Sequence, residues 1–146
     1  MKKSILSLFI VLCMCAWTGA SEASEYEDQF YKGNEYLNKG QYDPAIAAYS
    51  KAIELNPKSY ESYANRGGAY IAKGEYNPAI ADFTKAIELD RKNSEAYFGR
   101  GFTYNDLHQT EKALPDLDKV IGLDPGNSRA YEERARGYNK VGQFDK

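Results

Sequence analysis

The fold is decided by residues 60–93, which read YESYANRGGAYIAKGEYNPAIADFTKAIELDRKN. The pattern of this stretch recurs before and after it, each time shifted by 34 residues. A small residue recurs every 34 residues, at Gly33, Gly67, Gly101 and Ala135. A tyrosine recurs at the same interval, at Tyr36, Tyr70, Tyr104 and Tyr138. Self-similarity at a period of this size indicates a repeat architecture rather than a single globular core.

Each copy of the pattern predicts two helices. The first runs from about Ser59 to Lys73 and is ended by Gly74, as a glycine just past a helix commonly does. The second is predicted to begin at Asn77-Pro78, with Asn as the N-cap and Pro at the first helical position, and Asp43-Pro44 repeats this device. Its apolar residues lie at helical spacing along one face: Ala79, Ile80, Phe83, Ala86, Ile87 and Leu89.

These positions closely resemble the tetratricopeptide repeat (TPR). The middle copy fills the family pattern with Tyr63, Gly67, Tyr70, Ala79, Phe83 and Ala86, and has Arg91 in place of the final proline. The first copy has Gln29 as its leading residue and keeps Gly33, Tyr36, Ala45, Tyr49, Ala52 and Pro57. The third copy has Tyr97, Gly101, Tyr104, Ala113, Leu117, Val120 and Pro125.

The resemblance implies an all-α, right-handed superhelical solenoid of about seven helices in antiparallel pairs. Three full repeats are expected at residues 26–59, 60–93 and 94–127. Residues 128–146 are expected to form either a partial fourth repeat or a capping helix with a charged outer face.

The third copy departs from the pattern at two positions. His108 takes the turn position that glycine fills in the two copies before it. Pro115 follows the predicted N-cap Thr110 by five residues, where it would remove a backbone hydrogen bond. A kink, or a late helix start near Leu114, is therefore expected.

Residues 1–20 have the pattern of a secretory signal peptide. Lys2 and Lys3 precede a mostly apolar run over residues 5–17, which is short for a membrane span. Small residues allow cleavage after Ala20 or after Ala23. Export predicts a periplasmic or secreted protein, with residues 21–25 as a flexible lead-in.

Retention of the same segment is the alternative, and it would anchor the chain to a membrane. Both cysteines, Cys13 and Cys15, lie within it, and neither follows the small residue that a bacterial lipidation site requires. Cleavage would leave a chain without cysteine and therefore without disulfides.

Composition and residue types favour a non-catalytic protein. Removal of residues 1–20 takes away Lys2 and Lys3 from 19 basic residues and none of the 21 acidic ones, which leaves a net charge of −4 (17 − 21). This mildly acidic balance argues against nucleic-acid binding, for which a clustered basic face is expected. The single histidine, His108, is predicted to be a surface turn residue, so no zinc site, metal site or cofactor is expected. The tyrosines at register positions are predicted to be core or half-core residues rather than ligand-stacking residues.

The resemblance also implies a concave groove, lined by the first helix of each pair, that receives extended or helical peptides. The predicted groove residues are Phe30, Asn34, Asn38, Asn65, Phe98, Phe102, Arg129 and Arg136. Phenylalanine suits an apolar anchor because aromatic side chains dominate binding hot spots. Asn34 and Asn65 are predicted either to hydrogen-bond a ligand's backbone or to remain solvated.

The best-known groove of this family clamps the acidic C-terminal tails of cytosolic chaperones with two asparagines, two lysines and an arginine. Its basic positions are filled here by Phe30, Glu95 and Gly99, which cannot supply charge-assisted hydrogen bonds to a carboxylate. We therefore predict a scaffold for a different peptide or partner protein. The alternative is a membrane-tethered accessory subunit of an envelope complex.

Overall fold

The computed structural model describes residues 23–140, which form seven α-helices and no strand. Helix α1 covers 23–38, α2 Tyr42–Leu55, α3 Tyr60–Lys73, α4 Tyr76–Leu89, α5 Ser94–Asp106, α6 Thr110–Leu123 and α7 Ser128–Lys140. This confirms the predicted all-α solenoid of helix pairs. The predicted signal peptide, the cleavage point after Ala20 and residues 141–146 lie outside the described residues.

The predicted starts of the second helices are wrong by two residues. Helix α4 begins at Tyr76, and Glu75 stands at its N-cap without a side-chain cap hydrogen bond. Helix α2 likewise begins at Tyr42 rather than after an Asp43 cap. The prolines thus lie in the middle of the first turn, where a backbone N–H would have no partner within the helix.

Two further predictions are corrected. Residues 23–25 of the predicted flexible lead-in are helical. Helix α6 starts at Thr110, so the late start near Leu114 is wrong, and Pro115 lies inside the helix. The missing proline N–H affects one backbone bond, whereas the side chains of Ala113 and Leu117 are fully buried on the same helix and hold it in place.

The left-handed backbone at the turns confirms the register. Gly40 has φ 69°, Gly74 has φ 78°, and His108 is the one non-glycine residue with positive φ among residues 23–140, at 58°. His108 therefore occupies the glycine position of the turn, as predicted.

Replacing His108 with glycine is expected to raise the free energy of unfolding by about 1 kcal/mol, because a non-glycine residue is strained in the left-handed region. Urea unfolding followed by circular dichroism measures the difference. The matched variant Gly74→Ala should lower stability, since it introduces the same strain at the equivalent turn. A His108→Gly protein less stable than the parent would contradict this account.

The core combines many small alanines at the helix contacts with a few larger apolar side chains. One cluster contains Ala64, Ala79, Phe83, Ala86, Ile87 and Ala96, and a second contains Ala45, Tyr49 and Ala69. The register tyrosines are half-buried as predicted, with one exception. Tyr131, on the last described helix, is 41% exposed.

Two ion pairs, which the sequence analysis missed, tie neighbouring repeats together. The Arg66 guanidinium donates to both carboxylate oxygens of Asp82 at 2.7 and 2.8 Å and to the Ser50 hydroxyl at 2.8 Å. Arg100 repeats this arrangement one period later, with Asp116 at 2.8 Å twice and Thr84 at 3.0 Å. Both carboxylates are nearly buried. Each arginine binds one carboxylate through two of its nitrogens and a hydroxyl through the third, an arrangement that we call an arginine fork. Each fork links three helices at a site with little solvent exposure.

Candidate functional site

A concave cavity of about 320 Å³ opens along the first helices of the pairs. Its lining residues are Leu37, Ala64, Asn65, Gly68, Ile71, Phe83, Glu95, Phe98, Gly99, Phe102 and Arg129. All except Phe83 lie on α1, α3, α5 or α7. We call this space the groove cavity.

Two glycines shape the groove cavity. A Cβ atom at Gly68 would meet no other atom within 4 Å, so this position leaves open space on α3. A Cβ atom at Gly99 would overlap the ring of Phe83, so only glycine lets α5 lie this close to the ring. The ring of Phe83 therefore forms part of the cavity floor, although it belongs to the core.

The rings of Phe98 and Phe102 and the guanidinium of Arg129 form one wall of the groove cavity, and Arg136 lies against this wall from outside the cavity. The rings of Phe98 and Phe102 stack with centroids 6.4 Å apart. The Arg129 guanidinium lies over Phe98, 4.6 Å from the ring centroid, and Arg136 lies 5.2 Å from the centroid of Phe102. Each guanidinium is attracted to the negative face of its ring.

The two arginines differ in their acidic partners. Arg136 pairs with Asp106 at 3.1 Å and with Glu133 at 2.6 Å. Arg129 has no carboxylate within salt-bridge distance among residues 23–140, and it is exposed. Arg129 is thus the cation that a ligand carboxylate can reach, while Glu95 places a negative charge on the same cavity.

The groove cavity brings together four of the eight predicted groove residues: Asn65, Phe98, Phe102 and Arg129. The other four, Phe30, Asn34, Asn38 and Arg136, do not line it. The ring of Phe30 instead packs against the core cluster around Tyr49, with centroids 6.1 Å apart. The apolar surface of Phe30 therefore contacts mainly the core and not the groove cavity.

Asn34 is engaged within the protein. Its Oδ1 accepts a hydrogen bond from the Tyr49 hydroxyl at 2.7 Å and another from Asn65 Nδ2 at 3.0 Å. Burial raises the pKa of Tyr49 to about 12, so the hydroxyl stays protonated and remains a donor. Asn34 therefore positions the side chain of Asn65. Asn38, the remaining predicted groove asparagine, is exposed on α1.

Phe83 was not among the predicted groove residues, because its position on the apolar face of α4 indicates a core residue. The available signal was Gly99, which stands at a groove position of the third copy where the second copy has Asn65. A glycine at a groove position has no side chain to cover the residue packed behind it, which here is Phe83.

The described part of the chain offers little for metal chemistry. Across residues 23–140, no three His, Cys, Asp or Glu side chains gather as metal ligands. In the same range, no helix is long and apolar enough to cross a membrane.

Comparison with known proteins decides the family. A model described as TPR repeat matches residues 33–72 and 67–107, and one described as Tetratricopeptide repeat matches residues 94–127. The chain belongs to the tetratricopeptide-repeat family. A comparison of this TPR chain with curated proteins found no significant match.

Solved structures of TPR domains resemble the chain over most of its length. The Arabidopsis OM64 TPR domain is 30% identical, with a TM-score of 0.79 over 81% of this chain and 98% of that domain. The first TPR of Spaghetti (RPAP3), bound to the HSP90 peptide SRMEEVD, is 29% identical, with a TM-score of 0.80 over 82% and 94%. The second TPR domain of human RPAP3, in complex with the HSP70 peptide SGPTIEEVD, is 31% identical, with a TM-score of 0.74 over 82% and 97%.

Proposed function

We propose that this TPR chain is a non-catalytic interaction scaffold that holds a peptide segment of a partner protein in the groove cavity. The observation that carries the proposal is the wall formed by Phe98, Phe102 and Arg129 beside an open cavity of about 320 Å³. Aromatic and arginine side chains are the residue types that dominate binding hot spots. The peptide complexes of the related TPR domains support the same use of the fold.

The lining of the groove cavity specifies the kind of peptide. A large apolar side chain would bury its surface against Phe98, Phe102 and Ile71. A neighbouring carboxylate would reach Arg129, which has no acidic partner among residues 23–140. Because Glu95 lines the same cavity, a run of several acidic residues would be repelled.

The acidic peptide SRMEEVD is therefore expected to bind this chain no better than at about millimolar concentration, far weaker than a specific peptide ligand. Fluorescence anisotropy with the labelled peptide in physiological salt measures the affinity. The charge-reversal variant Glu95→Lys should bind it more tightly than the parent, because it removes a repulsive charge. Micromolar binding by the parent chain would show that the groove does act as a clamp for acidic tails.

The proposed function is tested with peptides selected from a displayed random library on the immobilised chain. The double variant Phe98→Ala/Phe102→Ala should bind the selected peptides at least about tenfold more weakly, because each ring supplies part of the apolar wall. The matched control is Tyr31→Ala, which removes an aromatic ring that is 65% exposed and outside the groove cavity. Equal loss in both variants, or no loss in the double variant, would refute the groove as the site.

We also propose that residues 1–20 direct export, so that the scaffold works in the periplasm or outside the cell. The support is the pattern of Lys2, Lys3 and the apolar run that follows. The mass of the chain purified from its source organism tests this. A chain that begins after Ala20 or Ala23 supports export, whereas an intact chain in the membrane fraction indicates the tethered accessory subunit, and an intact chain in the cytosol refutes both.

A further inference from the structure

Helix α3 departs from its neighbours at two consecutive groove positions, which lie one helical turn apart. The neighbouring helices carry larger side chains at these positions: Phe30 and Asn34 on α1, and Phe98 and Phe102 on α5. Helix α3 has Ala64 and Gly68 there instead, and both line the groove cavity. The middle of the concave surface is therefore set back, and we call the space over Ala64 and Gly68 the recess.

The fold does not require glycine at position 68. A Cβ atom at the preceding Gly67 would lie 3.0 Å from the ring of Phe83, so the packing of α4 against α3 explains that glycine. A Cβ atom at Gly68 would meet no other atom within 4 Å. The backbone of Gly68 is helical and lacks the positive φ of Gly40 and Gly74, so other residues can adopt it.

Gly68 therefore weakens α3 without a gain in packing. Glycine in a helix interior is less favourable than alanine, because it loses more conformational freedom on folding. The consequence of glycine at this position is the open space in the groove cavity. This combination points to a role of Gly68 in binding.

The recess opens on a space bordered by aromatic rings. The stacked rings of Phe98 and Phe102 form its wall, and the ring of Phe83 forms its floor. The volume of about 320 Å³ is near the lower end of the range for ligand pockets, about 300–1,000 Å³. A space of this size suits one large side chain. A ring would gain edge-to-face or offset contacts with the three phenylalanines that an aliphatic side chain cannot make.

We propose that Gly68 determines the specificity of the groove cavity by admitting one aromatic side chain of the bound peptide, from Phe, Tyr or Trp. This inference rests on the proposed function and names the anchor residue of the peptide. The anchor ring lies against the bare backbone of α3 at Gly68 and contacts the rings of Phe98 and Phe102. It occupies on α3 the place that the side chain of Phe102 occupies on α5.

The first test compares two glycine-to-alanine variants. The probe is a fluorescein-labelled peptide selected on the parent chain from the displayed library, and anisotropy titration measures its affinity. Gly68→Ala should raise the midpoint of thermal unfolding by about 3 to 5 °C. The same variant should bind the peptide at least about fivefold more weakly, because its methyl group enters the recess. Gly122→Ala is the control, since Gly122 is helical, has open space around it and lies outside the groove cavity.

The second test exchanges the occupant of the recess. Replacing the aromatic anchor of the peptide with alanine should weaken binding to the parent chain at least about tenfold. The same peptide change should matter little for Gly68→Leu, because leucine already fills the recess and the two changes remove the same contact. Peptides selected on the parent chain should share one aromatic position, whereas peptides selected on Gly68→Leu should not. Unchanged far-ultraviolet circular dichroism for Gly68→Leu would show that the fold is retained.

Two results would overturn the inference: selected peptides that share no aromatic residue, or binding that Gly68→Leu leaves intact. If Phe98→Ala/Phe102→Ala weakens binding while Gly68→Leu does not, the peptide lies in the groove cavity but outside the recess. That outcome refutes the role of Gly68 and leaves the proposed function standing. If neither variant changes binding, or the library yields no binder, the proposed function itself fails and this inference fails with it.

Discussion

Replacing Asp116 with alanine is expected to lower the free energy of unfolding by about 3 kcal/mol. The Asp116 side chain is 7% exposed and binds two nitrogens of Arg100, whose third donor reaches Thr84 on α4. Its removal leaves the guanidinium, itself only 19% exposed, without a counter-charge between three helices. Desolvation of an uncompensated charge, rather than loss of one hydrogen bond, makes the effect large.

Urea denaturation measures this change, and Asp118→Ala is the matched control. Asp118 lies on the same helix and also pairs with an arginine, Arg134 at 3.0 Å, but its side chain is 55% exposed. An exposed pair contributes at most about 1 kcal/mol, so the control should change stability little. Equal effects of the two substitutions would mean that burial of the Arg100 fork does not determine its importance.

Replacing Phe83 with alanine is expected to lower the free energy of unfolding by about 4 kcal/mol. The ring is 3% exposed and lies between Gly67 of α3 and Gly99 of α5. Neither glycine can extend a side chain into the space that the ring leaves, so the cavity would not collapse easily. Because Phe83 also forms the floor of the groove cavity, the same variant should weaken peptide binding.

The control for Phe83→Ala is Phe102→Ala, which removes the same number of atoms from the wall of the groove cavity. Its ring is only partly buried, so the loss of stability should stay near or below about 1 kcal/mol. Thermal and urea unfolding of both variants separate the two roles. Global unfolding of Phe102→Ala would show that this residue belongs to the core rather than to the binding wall.

Much of the fold could be predicted because packing positions recur at a fixed period. The small residue at Gly67 and the aromatic residue at Tyr70 return in each copy, since each pair packs against the next in the same way. The helix starts were less predictable. The Asn77 side chain is of a type that suits an N-cap, yet the helix begins one residue earlier, at the half-buried Tyr76.

The groove was only partly predictable, because the register does not show which side chains meet across repeats. Phe30 and Phe98 occupy the same register position, yet Phe30 packs on Tyr49 while Phe98 lies under Arg129 from α7. The ion pairs of Arg66 and Arg100 could have been predicted from the spacing of the residues in the sequence. In each case an aspartate follows the arginine by 16 residues, and both residues recur at the period of the repeat.

The most direct test of the central claim, that the groove cavity is the peptide site, is a two-dimensional amide NMR titration of the complete chain with a selected peptide. Gly68 and Gly99 line the groove cavity, whereas Gly122 lies exposed on α6. The account predicts that the signals of Gly68, Phe98 and Gly99 shift in proportion to occupancy while Gly122 stays unchanged. Shifts confined to α2, α4 and α6, with Gly68 and Gly99 unmoved, would contradict it.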